Sequence, residues 1–254
     1  MTGRLEDDGG EEQSFFSHLI ELRERLLKAI AAVLLVLIAL LPFANRLYAV
    51  LARPLLAHLP KGGQMVAIEV ASPFFTPLKL AYFAALVVAM PYVLYQLWAF
   101  VAPGLYRHEK KLATPLLVSS VLLFYLGGAF AYFLVLPTVF GFLASVTPEG
   151  VTMMTDIGHY LDFVLVMFLA FGFCFEVPVA VVILVALGWV TPAQLTASRG
   201  YVIVGAFVVA AVLTPPDILS QTLLAVPMCL LYEVGVIAAR MVGRGSAPTT
   251  RGAA

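Results

Sequence analysis

Two stretches, residues 74–100 and 115–137, are apolar almost without interruption, and each exceeds the ~20 residues that a helix needs to cross a bilayer. Runs of that length cannot all be hidden inside one soluble globule, so they predict membrane helices. Between them lies a short polar loop. Pro103-Gly104 stops the first helix, and Thr114-Pro115 reads as an N-cap with proline at the first helical position of the second. Arg107, Lys110 and Lys111 place the loop on the cytoplasmic side, with one carboxylate, Glu109, among them.

The rest of the chain has the same character. Of 254 residues, 62% are hydrophobic and only 12% charged, with a mean hydropathy of +0.99. The fold class is therefore an all-α, polytopic integral membrane protein. Fifteen basic and fifteen acidic residues cancel, which says little about partners because a membrane protein is read by where its charges lie along the chain; no nucleic-acid partner is expected. Cys174 and Cys229 lie inside apolar runs, where a thiol is a small core residue, so no disulfide is inferred. Residues 1–13 are acidic and polar, lack the pattern of a cleavable signal peptide, and are expected to form a disordered arm.

From Ser14, apolar residues at Phe15, Phe16, Leu19, Ile20, Leu22, Leu26 and Leu27 have helical spacing and run into a first span at 26–41. Glu21 with Arg25, and Glu24 with Lys28, are i,i+4 acid-to-base pairs. Such pairs suit a solvated helix face. Glu21 is also within about two turns of the hydrocarbon boundary, where water screens a carboxylate less well, so a binding role stays open. Residues 42–76 are broken by prolines and predict an outer loop with a short interfacial helix near 45–59. Those prolines either stiffen a cap or simply punctuate the loop.

The second span carries Pro91 as an expected kink and Tyr92, Tyr95 and Trp98 as an aromatic belt. The third is expected to end at Pro137 and contains Gly127-x-x-x-Ala131, a pattern that permits close helix contact. Residues 138–160 then form a second outer segment, with Asp156 starting the next helix. Inside the fourth span, 161–187, lies Glu176. A lone carboxylate at that depth costs roughly 2–3 kcal/mol or more unless protonated, paired or wetted, so it is either functional or satisfied by another helix. The fifth span, 201–213, covers only ~20 Å of a ~30 Å hydrocarbon core. Asp217 is expected to cap the sixth, 218–239, which carries Gln221 and Thr222 near its start. These six spans form one membrane domain, 14–239, followed by a disordered cytoplasmic tail, 240–254.

Placing both termini inside puts Arg4, Arg23, Arg25, Lys28, Arg107, Lys110, Lys111, Arg199, Arg240, Arg244 and Arg251 in the cytoplasm, against Arg46, Arg53 and Lys61 outside. That asymmetry fits six spans with both ends cytoplasmic. His18, His58, His108 and His159 are scattered, no Gly-rich phosphate loop is present, and no nucleophile–base–acid set shares a face. No enzyme activity, cofactor or metal is expected. Proton-coupled secondary transport through Glu176 is the main alternative that the residues leave open; a purely structural membrane subunit is a third.

Five stretches in order, His18-Leu-Ile-Glu-Leu-Arg23, Ala71-Ser-Pro-Phe-Phe-Thr-Pro77, Phe100-Val-Ala-Pro-Gly-Leu-Tyr-Arg-His-Glu109, Phe171-Gly-Phe-Cys-Phe-Glu-Val-Pro178 and Leu213-Thr-Pro-Pro-Asp-Ile-Leu-Ser-Gln221, resemble the TatC family, the polytopic subunit of the twin-arginine protein translocase. The resemblance implies a cupped, glove-like bundle in the bacterial inner membrane that binds the paired arginines of signal peptides. It also implies assembly with single-span TatA- and TatB-type subunits, homo-oligomers within the receptor complex, and export of folded cargo on the proton-motive force. By resemblance, Glu21 and Glu109 would receive the arginine pair, and Arg23, Phe100, Pro103, Leu105 and Tyr106 would shape the site. Glu176 would be the mid-membrane carboxyl, Thr214 and Gln221 would lie where partner subunits dock, and Pro54 and Glu69 would belong to an outer cap.

Overall fold

A computed structural model describes residues 8–56, 64–101, 113–148, 154–213 and 218–243. Five helical stretches, at His18–Leu51, Ser72–Val101, Ala113–Ser145, Ile157–Ala186 and Ser220–Met241, are long and apolar enough to cross a membrane. A sixth, Arg199–Leu213, is apolar but shorter. At 1.5 Å per residue its 15 residues reach ~22 Å, and it lies where the sequence predicts a short fifth span.

The first helix, α1 (Asp8–Leu40), begins inside the stretch 1–13 that reads as an arm. Helix growth is cooperative, so extending a helix already nucleated by 14–40 costs little per residue. A 3-10 turn at Leu41–Phe43 with Pro42 ends it. Two short helices follow, α2 (Ala44–Leu51) and α3 (Arg53–Leu56), where one interfacial helix was expected. Helix α4 (Ser72–Val101) then runs through Pro77 and Pro91. Pro91 has no N–H for the carbonyl of Val87 one turn earlier; the Tyr125 hydroxyl donates to that oxygen at 3.0 Å. A neighbouring helix thus repairs the ladder that the proline interrupts.

The third span departs from expectation. Helix α5 (Ala113–Phe130) passes through a π-helical turn, Ala131–Val135, into α6 (Leu136–Ser145), so Pro137 does not end it. The wider turn changes the hydrogen-bond register immediately before the proline, which then falls in the first turn of α6 where a missing N–H is tolerated. Residues 138–145, expected in an outer segment, are helical.

Helix α7 (Ile157–Ala186) is the centre of the bundle, packing on α4, α5 and α10 (Ile218–Gly243). Its Val164, Met167 and Phe171 are fully buried with Leu136, Val139 and Leu224. Helix α1 packs mainly on α4, and, after the short α8 (Pro192–Ala197), α9 (Arg199–Leu213) packs on α10, so α1 and α9 lie at the flanks of the core. Apolar residues on α1 such as Leu26, Leu35 and Ile38 are exposed, as lipid-facing side chains would be. Two close approaches fix the centre. A Cβ on Gly127 would lie 2.5 Å from the carbonyl oxygen of Phe171, and one on Gly235 2.8 Å from Cα of Pro178. The small-residue pattern on the third span therefore marks a true helix contact, with Ala131 fully buried beside it.

The two outer segments, expected without strands, each contain one. Strands β1 (Gln64–Val66) and β2 (Met154–Asp156) pair in parallel, Met65 opposite Thr155, and join the two outer segments.

Candidate functional site

At one end of the bundle the start of the apolar part of α1 meets the last turn of α4. The His18 imidazole stacks on Phe100, with ring centroids 4.1 Å apart and planes 19° from parallel. Glu21 sits one turn on, half-buried, with Oε2 3.9 Å from His18 Nδ1. Its other oxygen, Oε1, accepts from Arg25 Nε at 2.9 Å and from Arg25 Nη2 at 2.5 Å. Arg25 reaches it because i and i+4 share a helix face; Arg23, two residues away, cannot, and is exposed. Glu24 pairs with Lys28 at 2.6 Å on the open face. An aromatic platform, a guanidinium and a carboxylate whose Oε2 accepts no hydrogen bond among the described residues therefore lie together. Pro103, Leu105, Tyr106 and Glu109 lie outside the described residues, in the segment that begins just after Phe100.

Glu176 is in the middle of α7. Ser120 of α5, itself buried, donates to its Oε2. Oε1 is buried and has no hydrogen-bond partner among the described residues. The carboxyl is thus half satisfied by a neighbouring helix. Gln221 on α10 donates to the Phe207 carbonyl of α9 at 3.1 Å, tying those helices together; Thr214 lies outside the described residues. Pro54 falls within α3, and Glu69 is exposed in the turn before α4.

The opposite end of α4 holds the residue that sequence reasoning undervalued. Asp156 caps α7 as expected, Oδ1 accepting from the backbone N–H of Gly158 and of His159, both at 2.9 Å. Its Oδ2 also accepts from Ile68 N–H at 3.0 Å, across 88 residues of sequence. The backbone N–H groups of His159 and Ile68 hold this carboxyl below its ordinary pKa, although burial opposes the shift. Nearby, Tyr160 and Tyr132 donate to the Leu51 and Val50 carbonyls at 2.7 and 3.1 Å, satisfying the end of α2.

The family model described as "Sec-independent protein translocase protein (TatC)" matches residues 17–227. The chain belongs to the TatC family. A TatC protein of Azotobacter chroococcum mcd 1 is 60% identical over 236 residues, covering 93% of this chain and 92% of the relative. The TatC protein of Escherichia coli (strain K12) is 55% identical, with 92% of each covered. The crystal structure of a twin arginine translocase receptor, TatC, superposes with a TM-score of 0.77 at 37% identity, covering 88% of this chain and 98% of that one. This chain is accordingly an all-α integral membrane protein of a TatC-type, Sec-independent protein translocase.

Within that family frame, three partners escaped the sequence reading. Ser120 lies 56 residues from Glu176. Glu233 of α10 pairs with Arg199 of α9 at 2.6 Å. Lys79 of α4 pairs with Asp162 of α7 at 2.5 Å. None has a local signal, because each joins residues whose proximity depends on how whole helices pack.

Proposed function

We propose that this chain is the signal-peptide receptor and core subunit of a twin-arginine translocase in the bacterial inner membrane. It crosses six times with both termini in the cytoplasm, so the His18–Phe100 end faces the compartment where cargo is made. The paired arginines of a signal peptide bind Glu21 and Glu109, with Arg23, Phe100, Pro103, Leu105 and Tyr106 shaping the site. Single-span TatA- and TatB-type subunits dock near Thr214 and Gln221, Pro54 and Glu69 belong to the outer cap, and the assembly exports folded proteins on the proton-motive force.

The observation that carries this reading is Glu21 itself, a half-buried carboxylate beside an aromatic platform that already accepts two guanidinium donors on one oxygen. A planar guanidinium can present two parallel donors where an ammonium presents a point charge, which favours Arg-Arg over Lys-Lys. Two charge-assisted contacts of roughly 1.5–3 kcal/mol each fall short of the ~8 kcal/mol of micromolar binding. The hydrophobic stretch of the signal peptide supplies the difference by lying against exposed apolar helix surface.

The test is binding of a synthetic twin-arginine signal peptide and its Lys-Lys counterpart to the full chain in nanodiscs. Arg-Arg should be preferred, and Glu21→Gln and Glu109→Ala should each weaken it roughly tenfold or more while the protein stays folded. Equal binding of both peptides, or no loss in either variant, would remove the carboxylate mechanism and favour the carrier reading built on Glu176. Glu176→Gln should leave peptide binding intact and impair export, since among the described residues its carboxyl is hydrogen-bonded to Ser120 and not to His18, Glu21 or Phe100.

A further inference from the structure

Glu21 is not an empty receptor. Both Arg25 donors fall on Oε1, at 2.9 and 2.5 Å, and the two side chains retain 26% and 35% of their exposure. A peptide arginine would bring the same chemistry to the same carboxylate. The neighbouring cations are otherwise disposed: Lys28 is paired with Glu24, and Arg23 faces away with no ion pair among the described residues. Among the described residues Arg25 alone donates hydrogen bonds to Glu21, on Oε1, while His18 Nδ1 lies 3.9 Å from Oε2, so a second guanidinium that engages both carboxylate oxygens has to take Oε1 from Arg25. We propose that Arg25 is a built-in placeholder for the incoming guanidinium, displaced from Glu21 when a twin-arginine peptide binds. The proposal rests on the receptor reading above.

The physics of the pair suits that role. A carboxylate near the hydrocarbon boundary is costly when charged and unpaired, and Arg25 keeps it paired while no cargo is present. An i,i+4 pair is also weak, so it yields to a ligand that adds further contacts. A site that is available only while Arg25 is swung away has its affinity reduced by that available fraction. Because the fraction belongs to the receptor alone, it scales every ligand of Glu21 equally. Arg25 therefore sets a threshold for binding and leaves the preference between ligands untouched. An exposed or half-exposed pair of this kind corresponds to a factor of about two to five.

The experiment measures equilibrium binding of an Arg-Arg signal peptide and an Arg-Lys counterpart to the full chain in nanodiscs. Arg25→Gln, and Arg25→Met as a second variant that keeps the apolar stem, should tighten both peptides by the same factor of roughly two to five. Arg25→Lys should fall between them and the wild type. Lys28→Gln, which removes a cation committed to Glu24, should change neither affinity. Weakened or unchanged binding in Arg25→Gln and Arg25→Met would overturn the placeholder and make Arg25 a support for Glu21. Tightening of one peptide alone, or equal tightening by Lys28→Gln, would overturn it too, the latter by showing a general charge effect. The two readings fail separately. If the wild type binds and Glu21→Gln loses affinity while the Arg25 variants do not gain it, only the placeholder falls; if Glu21→Gln binds like the wild type, both fall.

Discussion

The two ends of α4 each lie against a carboxylate, and the protein holds the two in different ways. Beside the first turns of α4, Asp156 accepts three backbone N–H groups from two chain segments and is buried. Beside its last turn, Glu21 accepts from one side chain of its own helix, Arg25, and its other oxygen accepts no hydrogen bond among the described residues. Backbone donors fixed by a cap and a strand ladder cannot leave without local unfolding, whereas an arginine at i+4 leaves by changing rotamer. The difference teaches how to separate a carboxylate that builds the fold from one that can exchange partners. Burial alone does not separate them; the mobility of the donors does.

The contrast can be challenged by perturbing the scaffold between the two ends. Gly127→Val should have the largest effect, because its Cβ would meet the Phe171 backbone, which cannot yield as a side chain can. A cost of about 2–3 kcal/mol is expected, with both ends loosened together, measured by thermal unfolding in detergent and by peptide binding. If binding survived while stability fell, the Glu21 end would be independent of the α5–α7 contact.

Asp156→Ala should have the next largest effect and should be confined to its own end. It removes a helix cap and the bond to Ile68, so amide exchange should rise around residues 64–70 and 154–160 while Arg-Arg peptide affinity holds. Loss of binding would show that the two ends are coupled through α4. The same residue predicts a pH dependence. Its carboxyl titrates lower in the folded protein than in the unfolded chain, so the stability it adds is complete above its ordinary value of about 4 and is lost as pH falls through the folded value. Asp156→Asn should flatten that acid limb of an unfolding-versus-pH profile. A limb of unchanged slope would assign it to other groups.

The smallest effect is expected from Lys79→Ala. Lys79 and Asp162 are about half exposed, and such a pair contributes ~0.5 kcal/mol or less. Chemical denaturation that gave a loss as large as that of Asp156→Ala would blur the distinction between side-chain and backbone donors.

Much of this was legible in the sequence alone. The spans could be read because bilayer crossing depends on the length of an apolar run, a local property. The Asp156 cap and the Glu21–Arg25 pair were legible for the same reason, each lying within one helical turn. The strand ladder was not: Gln64-Met-Val66 and Met154-Thr-Asp156 are too short to carry a period, and each is a strand only because the other lies beside it. Nor was the helical continuation through Pro137, since a proline reads as a stop until a π turn is seen to absorb it.

The sequence by itself determined that the chain is a bundle of membrane helices and which family's motifs it carries, because hydrophobic run length, helix caps and motif order are properties of neighbouring residues. Only the tertiary structure decided which polar groups meet inside that bundle. Tyr125 reaches the Val87 carbonyl, Ser120 reaches Glu176, and Ile68 reaches Asp156 because helices and loops far apart in sequence pack side by side. A buried donor or acceptor gains its stability from a partner within about 3 Å, and distance in space is what a linear sequence does not encode locally.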